Sequence, residues 1–274
     1  MSRPLLLHVG VQKTGTTSLQ RFLRRSERDL SDLLVVRTPE EGTPMRPLGR
    51  AAIAFSLTPD DAHRDRLFAA FDAVLDTLPD DGRGVIISHE NLAGAMPGNG
   101  GETRLFPALP QMLSLIVARA EARGYAPHVA VYTRRMTAWL PSVWAQAVRT
   151  DGYAETLAQF RDSTAALPGW GDLMRRLSAE LGAARVSRLR LEDESDADRP
   201  GRQLLALAGV PKARLDALPL LDSRAMERLS PGATEFLRRL NGLALNPHAR
   251  DRVADLVARS QPLFTAHLPS EGTL

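Results

Sequence analysis

Three short stretches of this chain bring together residue types that handle anions and protons. In "HVGVQKTGTTSLQ", His8 to Gln20, the glycines Gly10 and Gly15 enclose four residues, one of which is Lys13. That is the glycine spacing of a Walker A loop, but Thr16-Thr17 stands where that motif has a lysine followed by Ser or Thr. Glycines let the backbone curl around an anion, and the first amides of a following helix supply aimed N–H groups and a positive dipole end. A phosphate cradle is therefore expected, with its lysine inside the turn. Lys13 stands out further because the only other lysine is Lys212; the remaining basic residues are arginines. In "HVAVYTRRMTAWLPSVWAQAV" a strand over Val129 to Thr133 runs into Arg134-Arg135 and then a helix expected over Thr137 to Thr150, with Pro141 in its first turn, where proline is tolerated. Arg134 and Ser142, eight residues apart, can face one anion. In "GVIISHEN" the strand Val85 to Ser88 leads to His89 and Glu90, two proton acceptors at its carboxyl edge. Alternation puts Ser88 and Glu90 on one side and His89 on the other.

The first stretch resembles the 5'-phosphosulfate loop of sulfotransferases, whose donor is 3'-phosphoadenosine 5'-phosphosulfate (PAPS) and whose product is 3'-phosphoadenosine 5'-phosphate (PAP). It is most similar to the bacterial and glycan-modifying branches, which carry similar Lys-Thr-Gly-Thr-Thr loops. The resemblance implies that Lys13 contacts the bridging oxygen and the transferring sulfuryl group. It implies further that Gly15, Thr16 and Thr17 hold the 5'-phosphate within a binding loop running from Gln12 through Thr14 to Ser18. The second stretch resembles the family's 3'-phosphate site and assigns Arg134 and Ser142 to it; Arg135 is a weaker candidate, and Trp139, Trp144 and Gln146 fit the bacterial pattern without a derivable role. Transfer to a hydroxyl also needs a base. Family members use a histidine or a glutamate, so both His89 and Glu90 stay open, with Glu90 favoured. Further on, Leu191-Glu192 stands where the family often has a tyrosine before the glutamate, which removes one expected aromatic contact. The Arg-Lys-Gly-rich closing segment of animal cytosolic members is missing, and Arg224 and Arg228 are the substitutes considered.

These residues need a scaffold that brings strand ends together. Short apolar runs at Leu5 to Val9, Leu33 to Val36, Val85 to Ser88, Val129 to Thr133 and Val186 to Leu191 alternate with stretches of helical periodicity. That alternation predicts a three-layer α/β sandwich with a central, mostly parallel sheet, P-loop NTPase-like, and ligands at the carboxyl ends of the strands. Helices are expected over Thr16 to Arg28, Asp60 to Leu78, Leu105 to Arg123, Trp170 to Leu181, Arg199 to Ala208, Pro231 to Leu245 and Ala249 to Ser260. Pro39 to Gly49 and Ala93 to Thr103 read as loops beside a site. No linker interrupts the pattern, so residues 1–274 are expected to form one domain with a helical carboxyl-terminal portion.

Composition narrows the classes. No cysteine occurs among the 274 residues, which excludes disulfides, thiolate metal sites and cysteine nucleophiles. The six histidines, His8, His63, His89, His128, His248 and His267, show no ligand spacing, so no metal is expected. A net charge of +3 without basic blocks interleaved with aromatics argues against nucleic acid. There is no signal peptide or membrane-length apolar run, so a cytoplasmic protein is expected. The acceptor is expected to be a small molecule, lipid or glycan; oligomeric state is not encoded legibly. Two other classes compete: an ATP-dependent phosphotransferase, disfavoured by the missing Gly-Lys-Ser/Thr ending, and a nucleotide-binding module without chemistry.

Overall fold

The computed structural model describes residues 2–99, 102–221 and 229–264. Five parallel strands form one sheet: β1 (Arg3–Gly10), β2 (Leu34–Arg37), β3 (Gly84–Ser88), β4 (Tyr125–Thr133) and β5 (Val186–Arg190), in the order β2-β3-β1-β4-β5. β1 is central and is held on both sides, with Leu7 opposite Ile87 of β3 and Val129 of β4. Strands buried on both faces read as continuous apolar runs, and this is why "LLLHVG" and "GVIIS" are so free of charge.

Successive side chains divide the core into two layers. Leu5, Leu7 and Val9 join Val85 and Ile87 beneath the helices of one face. Leu6, Ile86 and Tyr132 face the opposite layer. The helices among the described residues are α1 (Thr16–Arg25), α2 (Met45–Leu57), α3 (Asp61–Leu75), α4 (Leu109–Ala122), α5 (Met136–Thr150), α6 (Leu157–Ser163), α7 (Trp170–Leu181), α8 (Arg202–Leu207), α9 (Lys212–Ala217), α10 (Pro231–Asn241) and α11 (Pro247–Arg259). α1, α8 and α9 cover one face, whereas α2, α3, α4, α5 and α7 cover the other. The architecture is the three-layer α/β sandwich, its sheet wholly parallel. α10 and α11 form a smaller apolar cluster with Val148 of α5. No helix of the described residues is long and apolar enough to cross a membrane.

The structure departs from the sequence reading at several elements. Half of the expected Pro39–Gly49 loop is helix, because α2 starts at Met45 and continues to Leu57. Pro47 sits in its first turn, where a missing N–H costs nothing, and Gly49 is required by packing, since a Cβ there would meet Nε2 of His89 at 2.1 Å. α4 begins at Leu109 rather than Leu105, after Phe106 takes a left-handed φ of 47° that no helix accepts. α6 and α9 are short helices without a visible periodic signal. Pro141 is the sixth residue of α5, not part of its first turn, so the carbonyl of Thr137 has no i+4 amide to accept from.

Candidate functional site

The turn after β1 is wound tightly. Lys13 has φ 69° and Gly15 φ 83°, both left-handed, and the lysine holds that conformation at a cost that only glycine escapes. The side chain of Thr14 donates to the carbonyl of Val11 at 2.5 Å, closing the turn. Trp139 of α5 donates to the carbonyl of Gln12 at 2.8 Å, and Gln12 donates to the carbonyl of Gly94 at 2.9 Å. The loop is thus fastened from three directions. Gly10 must lack a side chain, because a Cβ would lie 2.6 Å from the Thr16 hydroxyl.

α1 leaves this turn with no side-chain cap and no acidic residue in its first turn. Its first amides therefore keep their donors and the positive end of the helix dipole. Thr16 Oγ1 is buried and has no hydrogen-bond partner.

Beside this N-terminus lies a cavity of about 510 Å³. Gln12, Lys13, Gly15, Thr16, Thr17 and Ser18 line it from the loop, Glu90 from the end of β3, and Arg134 and Ser142 from β4 and α5. Arg134 donates to Ser142 Oγ at 3.2 Å and to the carbonyl of Lys13 at 3.4 Å, which ties the two anion-handling stretches together across the sheet. The carbonyl of Arg134 accepts from Trp170 at 2.6 Å. Arg135 is exposed, and its amide donates to Glu192 at 2.7 Å.

Two expected site residues sit elsewhere. Thr14 is buried with its hydroxyl turned into the loop, so its side chain is not part of the cavity wall. His89 is 3% exposed and packs against Gly49 of α2, away from the cavity. The physical reason is alternation: Ser88 faces His8, with 2.7 Å between Oγ and Nδ1, and the next side chain must go to the opposite layer. Burial holds the His89 pKa below the ordinary imidazole value, against the nearby Glu90 carboxylate, which raises it. β3 ends at Ser88 and a single 3₁₀ turn over Glu90–Ala93 returns Glu90 to the cavity side. There it accepts from Gln20 of α1 at 2.8 Å; Gln20 also donates to the Ser88 carbonyl at 3.3 Å.

Gln146, which fitted a pattern without a role, accepts from Lys13 Nζ at 3.2 Å. Arg149 lines the cavity and was missed. Both follow Ser142 at helical spacing, i+4 and i+7, the sequence signal that places them on the cavity-facing side of α5. Leu191 packs over Gly15, where an aromatic residue was the expectation. Arg224 and Arg228 lie outside the described residues, as does His267. Among the described residues, no group of three or more His, Asp or Glu side chains is arranged to hold a metal ion.

No family model matches the chain, and no curated protein matches it. Among solved structures it is similar to the crystal structure of a sulfotransferase from Alicyclobacillus acidocaldarius, with 16% identity and a TM-score of 0.46 over 96% of this chain and 99% of that chain.

Proposed function

We propose that the chain is a sulfotransferase that moves a sulfuryl group from PAPS to a hydroxyl, less readily an amine, of a small molecule, lipid or glycan. The observation that carries this reading is the convergence of Lys13, the uncapped N-terminus of α1, the Arg134–Ser142 pair and Glu90 on one cavity of about 510 Å³. These residues fit a donor with two separate phosphate groups. The uncapped amides of α1 suit one anion. Arg134 and Ser142, held 3.2 Å apart on neighbouring elements, suit a second.

When bound, PAPS supplies an activated sulfuryl group and a phosphate leaving group. Lys13 places a positive charge where negative charge grows on the bridging oxygen, and Gln146 orients that ammonium through the 3.2 Å hydrogen bond. Glu90 takes the proton of the acceptor hydroxyl, its carboxylate oriented by Gln20. Positioning and charge stabilisation carry most of the rate, as in phosphoryl transfer.

Calorimetric titration with PAP, AMP and ATP, repeated on Arg134→Ala, tests this reading. PAP is expected to bind more tightly than AMP or ATP, and the substitution to lower PAP affinity by about tenfold or more, the scale of a lost charge-assisted contact. Preference for ATP would return the loop to a phosphotransferase; no nucleotide binding would sink both.

A further inference from the structure

The cavity extends beyond the residues that two phosphates and a sulfuryl group would use. α5 presents Ser142, Gln146 and Arg149 to it, a set spanning about 10 Å of one helix face. Ser142 sits with Arg134 at the first end and Gln146 meets Lys13 in the middle. Arg149 lies at the far end, seven residues and about 10 Å of helix rise beyond Ser142.

Among the described residues nothing else employs the Arg149 side chain. It is half-buried, and among the described residues it has no hydrogen bond or ion pair. It is not needed to close α5, because Arg250 of α11 donates to the carbonyls of Val148, Arg149 and Thr150 at 3.1, 3.0 and 3.3 Å. Asn241 of α10 donates to Val148 as well, at 2.7 Å, and accepts from Arg250 at 2.9 Å. The end of the helix is thus capped by other residues, and the guanidinium of Arg149 is left to the cavity. A half-buried guanidinium has lost part of its water, and an anion in the cavity would replace it with charge-assisted hydrogen bonds. Ile53, Met96 and Leu229 add apolar surface to the same cavity.

We infer that Arg149 binds an anionic group of the acceptor, so that the acceptor is a hydroxyl compound with an apolar body and a carboxylate or phosphate-type group. The anion lies at Arg149 and the hydroxyl points to Lys13 and Glu90. This assignment rests on the sulfotransfer reading for the hydroxyl, but the anion site itself can be read by binding alone.

Wild-type protein, with and without PAP, would be titrated with three matched pairs. These are 3-(4-hydroxyphenyl)propanoate and its methyl ester, 10-hydroxydecanoate and its methyl ester, and 4-hydroxybenzylphosphonate and its dimethyl ester. At least one acid is expected to bind about tenfold or more tightly than its neutral partner. Arg149→Ala is expected to erase that preference, and Arg149→Lys to keep part of it. Carboxylate and phosphonate pairs separate the two kinds of anion. PAP affinity, measured on the same variants, reports that the fold and the donor site persist. No preference for the acid in any pair, absence of binding included, overturns the inference, as does a preference that survives in Arg149→Ala. Failure of PAP to bind sinks the sulfotransfer reading instead, while the acid-against-ester comparison in PAP-free protein still decides Arg149.

Discussion

The proposed role of Glu90 as base depends on how Gln20 holds its carboxylate. Glu90 leaves β3 through a 3₁₀ turn, and one of its oxygens accepts the 2.8 Å hydrogen bond from Gln20 and lies 3.8 Å from Nδ1 of His89. The other oxygen can face an acceptor. Glu90→Gln keeps the shape and removes the proton acceptor, so the transfer rate is expected to fall by about 10²-fold or more, with PAP affinity retained by calorimetry. Gln20→Ala removes only the orientation. It is expected to lower kcat by about tenfold with KM little changed, a split that separates positioning from binding. Equal rates in wild type and Glu90→Gln would remove Glu90 as the base.

At the scale of elements, α2 is held to β3 by the fit of His89 against Gly49. A methyl group at position 49 would lie 2.1 Å from the buried imidazole, which would have to shift to admit it. Gly49→Ala is therefore expected to destabilise the protein by about 1–3 kcal/mol despite alanine's better helix propensity. Gly171, exposed near the start of α7, has nothing within 4 Å of a Cβ. There the same change is expected to stabilise by up to about 1 kcal/mol. Thermal melts of the two variants should shift in opposite directions; a shift of the same sign in both would refute the packing account of Gly49. α5 is the other decisive element, because its N-terminal half holds the loop through Trp139 and its C-terminal half depends on Arg250.

For the molecule as a whole, buried histidines set the response to acid. His8, fully buried between the sheet and α1, has its pKa pushed down to about 3 by burial. An unfolded histidine takes up its proton near pH 6.5, whereas the native one stays neutral until far lower pH. The unfolded chain then binds more protons, so stability is lost as pH falls from about 6.5 towards 3, by up to about 1.4 kcal/mol per pH unit for one such group. His89 and His128, also lowered by burial, act in the same direction. Carboxylates such as Asp216, held at about 2 by Lys212 and Arg202, contribute only below their ordinary range near 4. The Asp151 carboxyl, its pKa raised by desolvation, acts in the opposite direction, gaining stability as pH falls, so the histidine effect is read from the difference between wild type and a histidine variant. Urea unfolding should show stability falling from about pH 6.5 to about pH 5 and a shallower slope in His8→Asn; parallel slopes would contradict it. We also propose that residues 1–274 behave as one domain, for which a single transition by two optical probes is the check.

Much of this was legible in the linear chain. Apolar runs marked the strands: β1 and β3 are buried on both faces and apolar along their length, whereas the edge strand β5, Val-Ser-Arg-Leu-Arg, is only partly buried and was legible from its valine and leucine alone. The Gly10–Gly15 spacing marked the tight turn, because left-handed backbone and close approach demand small residues there. Alternation already set His89 against Glu90. Other features depended on partners distant in sequence. α2 is helical at Pro47 and Gly49 because of what it packs on, and Pro141 lies inside a helix that Glu192 and the sheet support from outside. That Lys13 meets Gln146, 133 residues away, and that Arg250 frees Arg149, follow from β1 lying beside β4 and from α11 docking on α5. Local periodicity reports which side of an element is buried, but the identity of the neighbour across that side is decided only when the layers close.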